Sequence, residues 1–152
     1  MKIESMTPEL QGKLWDLWQQ EQPNMTPELQ KPDAFLYLLS QTDDSDWWIV
    51  DNTVLIFDKI VEGWQAELIP LGLDRVNRKR GVEELQTAME EYDLQRLTFF
   101  MPRPVRKLNR AAHRLGFRTE GVMKNATFFE GTFADLSIYG LYRGDNGTAA
   151  ST

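Results

Sequence analysis

The sequence predicts an α/β fold built on a mixed sheet. Three observations carry that prediction. Strand-like runs recur at residues 47–50, 54–57, 64–73, 94–101, 118–127 and 132–141. Other segments space their apolar residues helically. The two kinds follow one another as β-α-α-β-β-β-α-β-α-β-β, an order that mixes helical crossovers, which make parallel neighbours, with hairpins, which make antiparallel ones.

Taken in order, residues 2–5 are a candidate first strand. Thr7 is then an N-cap and Pro8 the first helical residue, with Leu10, Leu14, Trp15 and Trp18 on one face. The hexapeptide Met-Thr-Pro-Glu-Leu-Gln recurs at residues 25–30, a second start signal that Pro32 interrupts, so the next helix begins near Asp33 and carries Phe35, Leu36, Leu38 and Leu39. Residues 41–45 are a polar loop. The runs at 47–50 and 54–57 flank a tight turn at Asp51-Asn52. The longer run at 64–73 is mostly apolar and suits a central strand. A basic turn and a helix at 82–92 follow, then a strand at 94–101 stopped by Pro102 and Pro104. The helix at 105–115 ends at Gly116, and the last two strands meet at Glu130-Gly131. The five tryptophans read as core and edge packing.

Length and composition narrow the function classes. The 152 residues fit one domain, residues 1–143, with a flexible polar tail at 144–152. No run of apolar residues reaches membrane-spanning length, and the N-terminus lacks the apolar core of a signal peptide. We expect a cytoplasmic protein, or one carried in a particle assembled there. The absence of cysteine excludes disulfides, thiolate metal sites and cysteine nucleophiles, and a single histidine, His113, argues against a histidine metal site or a serine hydrolase triad. No metal is expected. The net charge of −6 argues against free nucleic acid as a main partner. Yet residues 75–118 hold 11 of the 17 cations and five of the 23 acids, a local charge of +6 against −12 elsewhere. That segment suits a compact polyanion, or two solvated helix faces that happen to be basic.

The most informative element runs from residue 64 to 92. A central strand enters a turn with four cations in six positions, Arg75, Arg78, Lys79 and Arg80, and the turn opens a helix. A helix start offers unsatisfied N–H groups and a partial positive charge, which suit phosphate or pyrophosphate, and Gly81 would let backbone come close to it. Neither the Walker nor the Rossmann glycine pattern is present. An ordinary strand-to-helix turn is the alternative.

Here the chain resembles the GCN5-related N-acetyltransferases. Arg78-Lys79-Arg80-Gly81-Val82-Glu83 is similar to the first four positions of their acetyl-CoA loop, [QR]-x-x-G-x-[GA], with Glu83 in the last place. Residues 108–121 resemble the family's late helix and its G-F-x-x-E-G exit, through Gly116, Phe117, Glu120 and Gly121. Gly131, Asp135, Tyr139 and Leu141 continue the pattern, as in the ribosomal-protein N-terminal acetyltransferase branch and in small acetyltransferase-like proteins of bacteriophages. The resemblance implies a mixed sheet of six or seven strands with helices on both faces, in which strands 64–73 and 94–101 are parallel and splay apart. It implies acetyl-CoA as co-substrate and direct acetyl transfer to an amine of a small molecule or protein. The pantetheine arm would pair with backbone near Leu71 and Leu73. The pyrophosphate would sit on Arg78, Lys79, Arg80, Gly81 and Val82, with Arg75 beside it. Glu67, eleven residues before Arg78, matches the place of a catalytic glutamate, and partial burial would raise its pKa. A glutamate on a solvated face or paired with an arginine is the alternative. Tyr139 would line the substrate end. Ala112 stands where many members have a tyrosine donor.

Two function classes follow. One is the acetyl-CoA-dependent N-acetyltransferase. The other is a non-catalytic protein of the same fold with protein partners in a larger assembly such as a phage virion.

Overall fold

The structure, a computed structural model, describes residues 1–31, 33–40 and 45–144. Pro32, nearly all of the loop expected at 41–45 and all but the first residue of the expected tail lie outside the described residues. The first start signal works as expected. Thr7 is extended, its Oγ1 accepts a hydrogen bond from Leu10 N at 3.2 Å, and α1 spans Pro8–Glu21. The second copy makes only a 3₁₀ turn, Pro27–Gln30, because Thr26 forms no side-chain cap bond. Lys31, driven out of the helical region by the proline that follows, is extended. A shorter α2, Ala34–Ser40, comes next, burying Phe35 and Leu38 while Leu36 stays exposed.

Strands β1, Asp46–Val50, and β2, Thr53–Val61, form the expected hairpin, with Asp51 at φ 54°. The candidate strand at residues 2–5 is a correction: it is a single antiparallel bridge, Lys2 to Trp48, so among the described residues the sheet has six strands. Strand β3, Gln65–Leu71, is shorter than the run that predicted it. Gly72 turns left-handed at φ 77°, and Leu73–Arg75 continues as a 3₁₀ turn. Helix α3, Arg78–Glu91, starts four residues before the expected 82, because Asn77 caps it by accepting from Arg80 N at 3.2 Å. Strand β4, Arg96–Pro102, leads into α4, Arg106–Arg114, closed by Gly116 at φ 98°. Strands β5, Arg118–Phe129, and β6, Thr132–Tyr142, join through Glu130 and Gly131, both at positive φ as a two-residue hairpin turn requires.

The strand order is β1-β2-β3-β4-β6-β5, antiparallel throughout except between β3 and β4. The period-2 alternation of β3 divides two cores. Ala66 and Leu68 join a cluster under α3 and α4 that includes Leu85, Ala88, Leu97, Phe99 and Leu115. Ile69 and Leu71 join the cluster under α1 and α2 with Leu14, Trp18, Phe35 and Trp47. Helices thus cover both faces, as expected. Trp18, Trp47 and Trp48 are core residues, whereas Trp15 and Trp64 are exposed.

Candidate functional site

The feature that opens the sheet is the brevity of its one parallel pairing. Strands β3 and β4 are in register only from Gln65↔Arg96 to Glu67↔Thr98. Both continue beyond, β3 to Leu71 and β4 to Pro102. On its other edge β3 stays paired with β2 as far as Val54↔Leu71. The edge of β3 that turns toward β4 is therefore unpaired in the ladder from residue 68 onward. An extended amide chain fits such an edge as an added strand.

The expected cofactor residues gather where β3 gives way to α3. Leu71 and Leu73 are fully buried, one in each core, so they offer backbone rather than side chains. Arg75, Lys79 and Arg80 are exposed. Each arginine has a partner within the protein. Arg75 Nη1 donates to Gln20 Oε1 at 3.2 Å, Arg78 Nε donates to the Arg114 carbonyl at 3.1 Å, and Arg80 Nη1 lies 2.7 Å from Asp51 Oδ1. The early helix start changes which amides are open. Arg80 N is taken by the Asn77 side chain and Gly81 N donates to the Asn77 carbonyl at 2.8 Å. Val82, half-buried, packs against the core under α3 and α4. Gly81 itself is buried, and a Cβ there would stand 2.9 Å from Leu115 Cδ2 and 3.2 Å from Val76 Cγ1. Its smallness serves the contact between α3 and the end of α4. Glu83 is exposed on the opposite side of that turn.

Glu67 sits at the fork, at the last paired position of the two strands. It is half-buried, and Lys59 Nζ lies 3.2 Å from its Oε2. The Glu67 carboxylate pushes the Lys59 ammonium above its usual pKa range. Glu67 also lines a cavity of about 50 Å³ at the fork, with Ile69 and Pro70 of β3, Phe100 of β4, Glu21 at the end of α1 and Met25 after it.

Glu21 is a site residue that the sequence did not reveal. It ends α1, is buried, and its Oε1 accepts from Gly72 N at 3.0 Å. Burial pushes its carboxyl above the usual range, while hydrogen bonds from Asn24 and Gly72 pull the other way. Gly72 is the partner sequence reading also missed. Its carbonyl accepts from Thr53 Oγ1 at 2.7 Å, and a Cβ there would meet the Arg75 guanidinium at 2.2 Å. A glycine between a strand and a basic turn is a visible signal for it. Glu21, 51 residues away, gives none.

Tyr139 is placed apart from Glu67. It is buried on the α4 side, stacked on Phe99 at 4.9 Å, and its hydroxyl donates to Asn109 Oδ1. Burial raises its pKa. Ala112 is buried in the same core. Among the described residues there is no group of three or more metal-ligating side chains, and no helix is long and apolar enough to cross a membrane.

No protein-family model matches the chain, and no curated protein matches its sequence. Solved structures do match. The spermidine N-acetyltransferase of Vibrio cholerae, in complex with CoA and spermine, superposes with a TM-score of 0.71 at 11% identity, over 94% of this chain and 95% of that one. The ribosomal-protein-S5-alanine acetyltransferase of Vibrio fischeri gives 0.66 at 12%, over 96% and 98%. The Salmonella typhimurium acetyltransferase that modifies the N-terminal serine of ribosomal protein L7/L12 gives 0.64 at 21%, over 88% and 90%. With the single splayed parallel pair, the six-stranded order and helices on both faces, the chain has the fold of the GCN5-related N-acetyltransferases.

Proposed function

We propose that the protein is an acetyl-CoA-dependent N-acetyltransferase acting on an amine. The observation that carries this is the fork between β3 and β4, whose unpaired β3 edge leads directly to a basic helix start. The pantetheine amides would lie along residues 68–73, Leu71 and Leu73 included. The pyrophosphate would meet the amides of Arg78 and Lys79 and the cations Arg75, Arg78, Lys79 and Arg80, with Gly81 and Val82 setting the turn against α4. Acetyl-CoA supplies an activated acetyl group. An ammonium acceptor gives up two protons on becoming an amide: Glu67 would accept one, the CoA thiolate released as the C–S bond breaks would carry away the other, and Lys59 holds the Glu67 carboxylate at the mouth of the fork. Glu21 and Glu67, both lining the cavity at the fork, suit an acceptor that arrives as an ammonium ion. The enzymes of this fold named above are described as acting on a polyamine and on ribosomal proteins, which supports an amine of a small molecule or protein as acceptor.

Calorimetric titration with acetyl-CoA tests this. The wild type is expected to bind, more weakly as salt rises. Arg78→Ala/Arg80→Ala should weaken binding. Glu67→Gln should keep binding but lose turnover by on the order of 10²- to 10⁴-fold, the typical contribution of a positioned base. No heat from the wild type would favour the non-catalytic protein of the same fold. Unchanged turnover in Glu67→Gln would make that residue structural.

A further inference from the structure

The basic segment does not serve one site. Residues 103–118 contain six cations and no acid, and α4 divides them into two stripes. Lys107 Nζ lies 3.8 Å from Asp74 Oδ2, so that flank faces the turn before α3, where Arg78 also donates to the backbone carbonyl of Arg114. Arg106, Arg110 and His113 fall at helical spacing on the other flank, above β6 and β5. With Arg103 they line an open groove of about 810 Å³, whose far wall carries Ser137 and Tyr139. This groove lies on the side of α4 away from the β3–β4 fork.

We propose that this groove binds a phosphate-bearing small molecule, at a site separate from the acetyl-CoA cleft. Three arginines line it against one acid, Asp135, which lies 3.9 Å from Arg103 and accepts from Asn125 N. Arg106 and Arg110 are exposed, and among the described residues neither makes an ion pair. Two guanidinium forks one helical turn apart match phosphate oxygens in a way that single ammonium groups do not. The hydroxyls of Thr119 and Ser137 supply neutral donors, Thr119 Oγ1 lying 3.4 Å from His113 Nε2. The His113 ring stands edge-on to Tyr139 at 5.3 Å, giving the groove a firm aromatic floor. Its volume falls within the range of small-molecule sites. On a chain of net charge −6, a concave cluster of cations concentrates positive potential in one place.

The test follows backbone amide shifts of the isotope-labelled full chain during titration with inorganic pyrophosphate. Saturable shifts are expected at residues 106–113, 119 and 137. They should weaken by about tenfold or more in Arg106→Gln/Arg110→Gln, since each lost charged hydrogen bond removes about that factor. Both side chains are exposed, so thermal melts of that variant should match the wild type. Shifts confined to residues 77–82, no saturable shift, or unchanged titration of the double variant would each overturn the proposal. So would saturation by a hexaglutamate peptide without any by pyrophosphate, which would mark the groove as a peptide surface. None of these readouts depends on acetyl-CoA binding or turnover.

Discussion

At the scale of single residues, the buried carboxylate of Glu21 is the least expected feature. It stabilises the turn at Gly72 by accepting an amide hydrogen that would otherwise be buried without a partner. The cost is a desolvated charge. Because burial raises its pKa above the ordinary 4.5, the folded chain keeps this proton to higher pH than the unfolded chain. Stability from this group therefore falls as pH climbs from about 4.5 through the raised value. Glu21→Gln keeps an acceptor for Gly72 and removes that loss. Its Tm should gain on the wild type as pH rises from 4 to 8, whereas Glu21→Ala should lose about 1–3 kcal/mol throughout that range by orphaning Gly72 N. A Tm gap between wild type and Glu21→Gln that ignores pH would show that Glu21 is not desolvated.

At the scale of elements, the start of α3 joins two demands. Asn77 caps the helix, and Gly81, one turn in, lets α4 approach. An alanine at an open helical site would stabilise by up to about 1 kcal/mol. At Gly81 the new Cβ would press on Leu115, itself 1% exposed and unable to swing aside. Overpacking of this kind costs about 1–3 kcal/mol, so Gly81→Ala should lower stability by about 1–2 kcal/mol net, a Tm fall of roughly 2–8 °C. A rise in Tm on thermal melting would mean that the two helices have slack between them. The same contact means that Gly81, expected to let backbone come close to a phosphate, is occupied with packing against α4.

At the scale of the molecule, two cores share one sheet, and the fork is where the sheet is least bound to itself. Four residues of β3 beyond Glu67 are held on the β2 side alone. Amide exchange should therefore slow at residues 68–73 when acetyl-CoA is added, while the β1–β2 turn is unchanged. Protection confined to the β5–β6 hairpin, measured by hydrogen–deuterium exchange, would place the ligand elsewhere. Charge is also arranged at this scale. Within the segment that is +6 in sequence, α4 sends Lys107 toward Asp74 before the start of α3 and Arg106 and Arg110 toward the groove over β6.

The fold was legible in the sequence because its signals are local. Thr7-Pro8 starts α1, Gly116 ends α4, Glu130-Gly131 turns the last hairpin, and the strand runs alternate with helical ones, each through backbone geometry that a few neighbouring residues dictate. The boundary errors are also local: Thr26 repeats a good start but forms no cap bond, and Asn77 caps a helix that apolar spacing alone starts at Val82. The site was legible only in part. Spacing put Glu67 and the basic turn on consecutive elements, and the fold brings them to the β3–β4 fork and the helix start beside it. Sequence could not show that Glu67 pairs with Lys59, that Glu21 reaches Gly72 across 51 residues, or that Tyr139 faces α4. Those relations depend on how two helical layers seat on a twisted sheet, where each side chain's partner is set by packing between distant segments rather than by its neighbours in the chain.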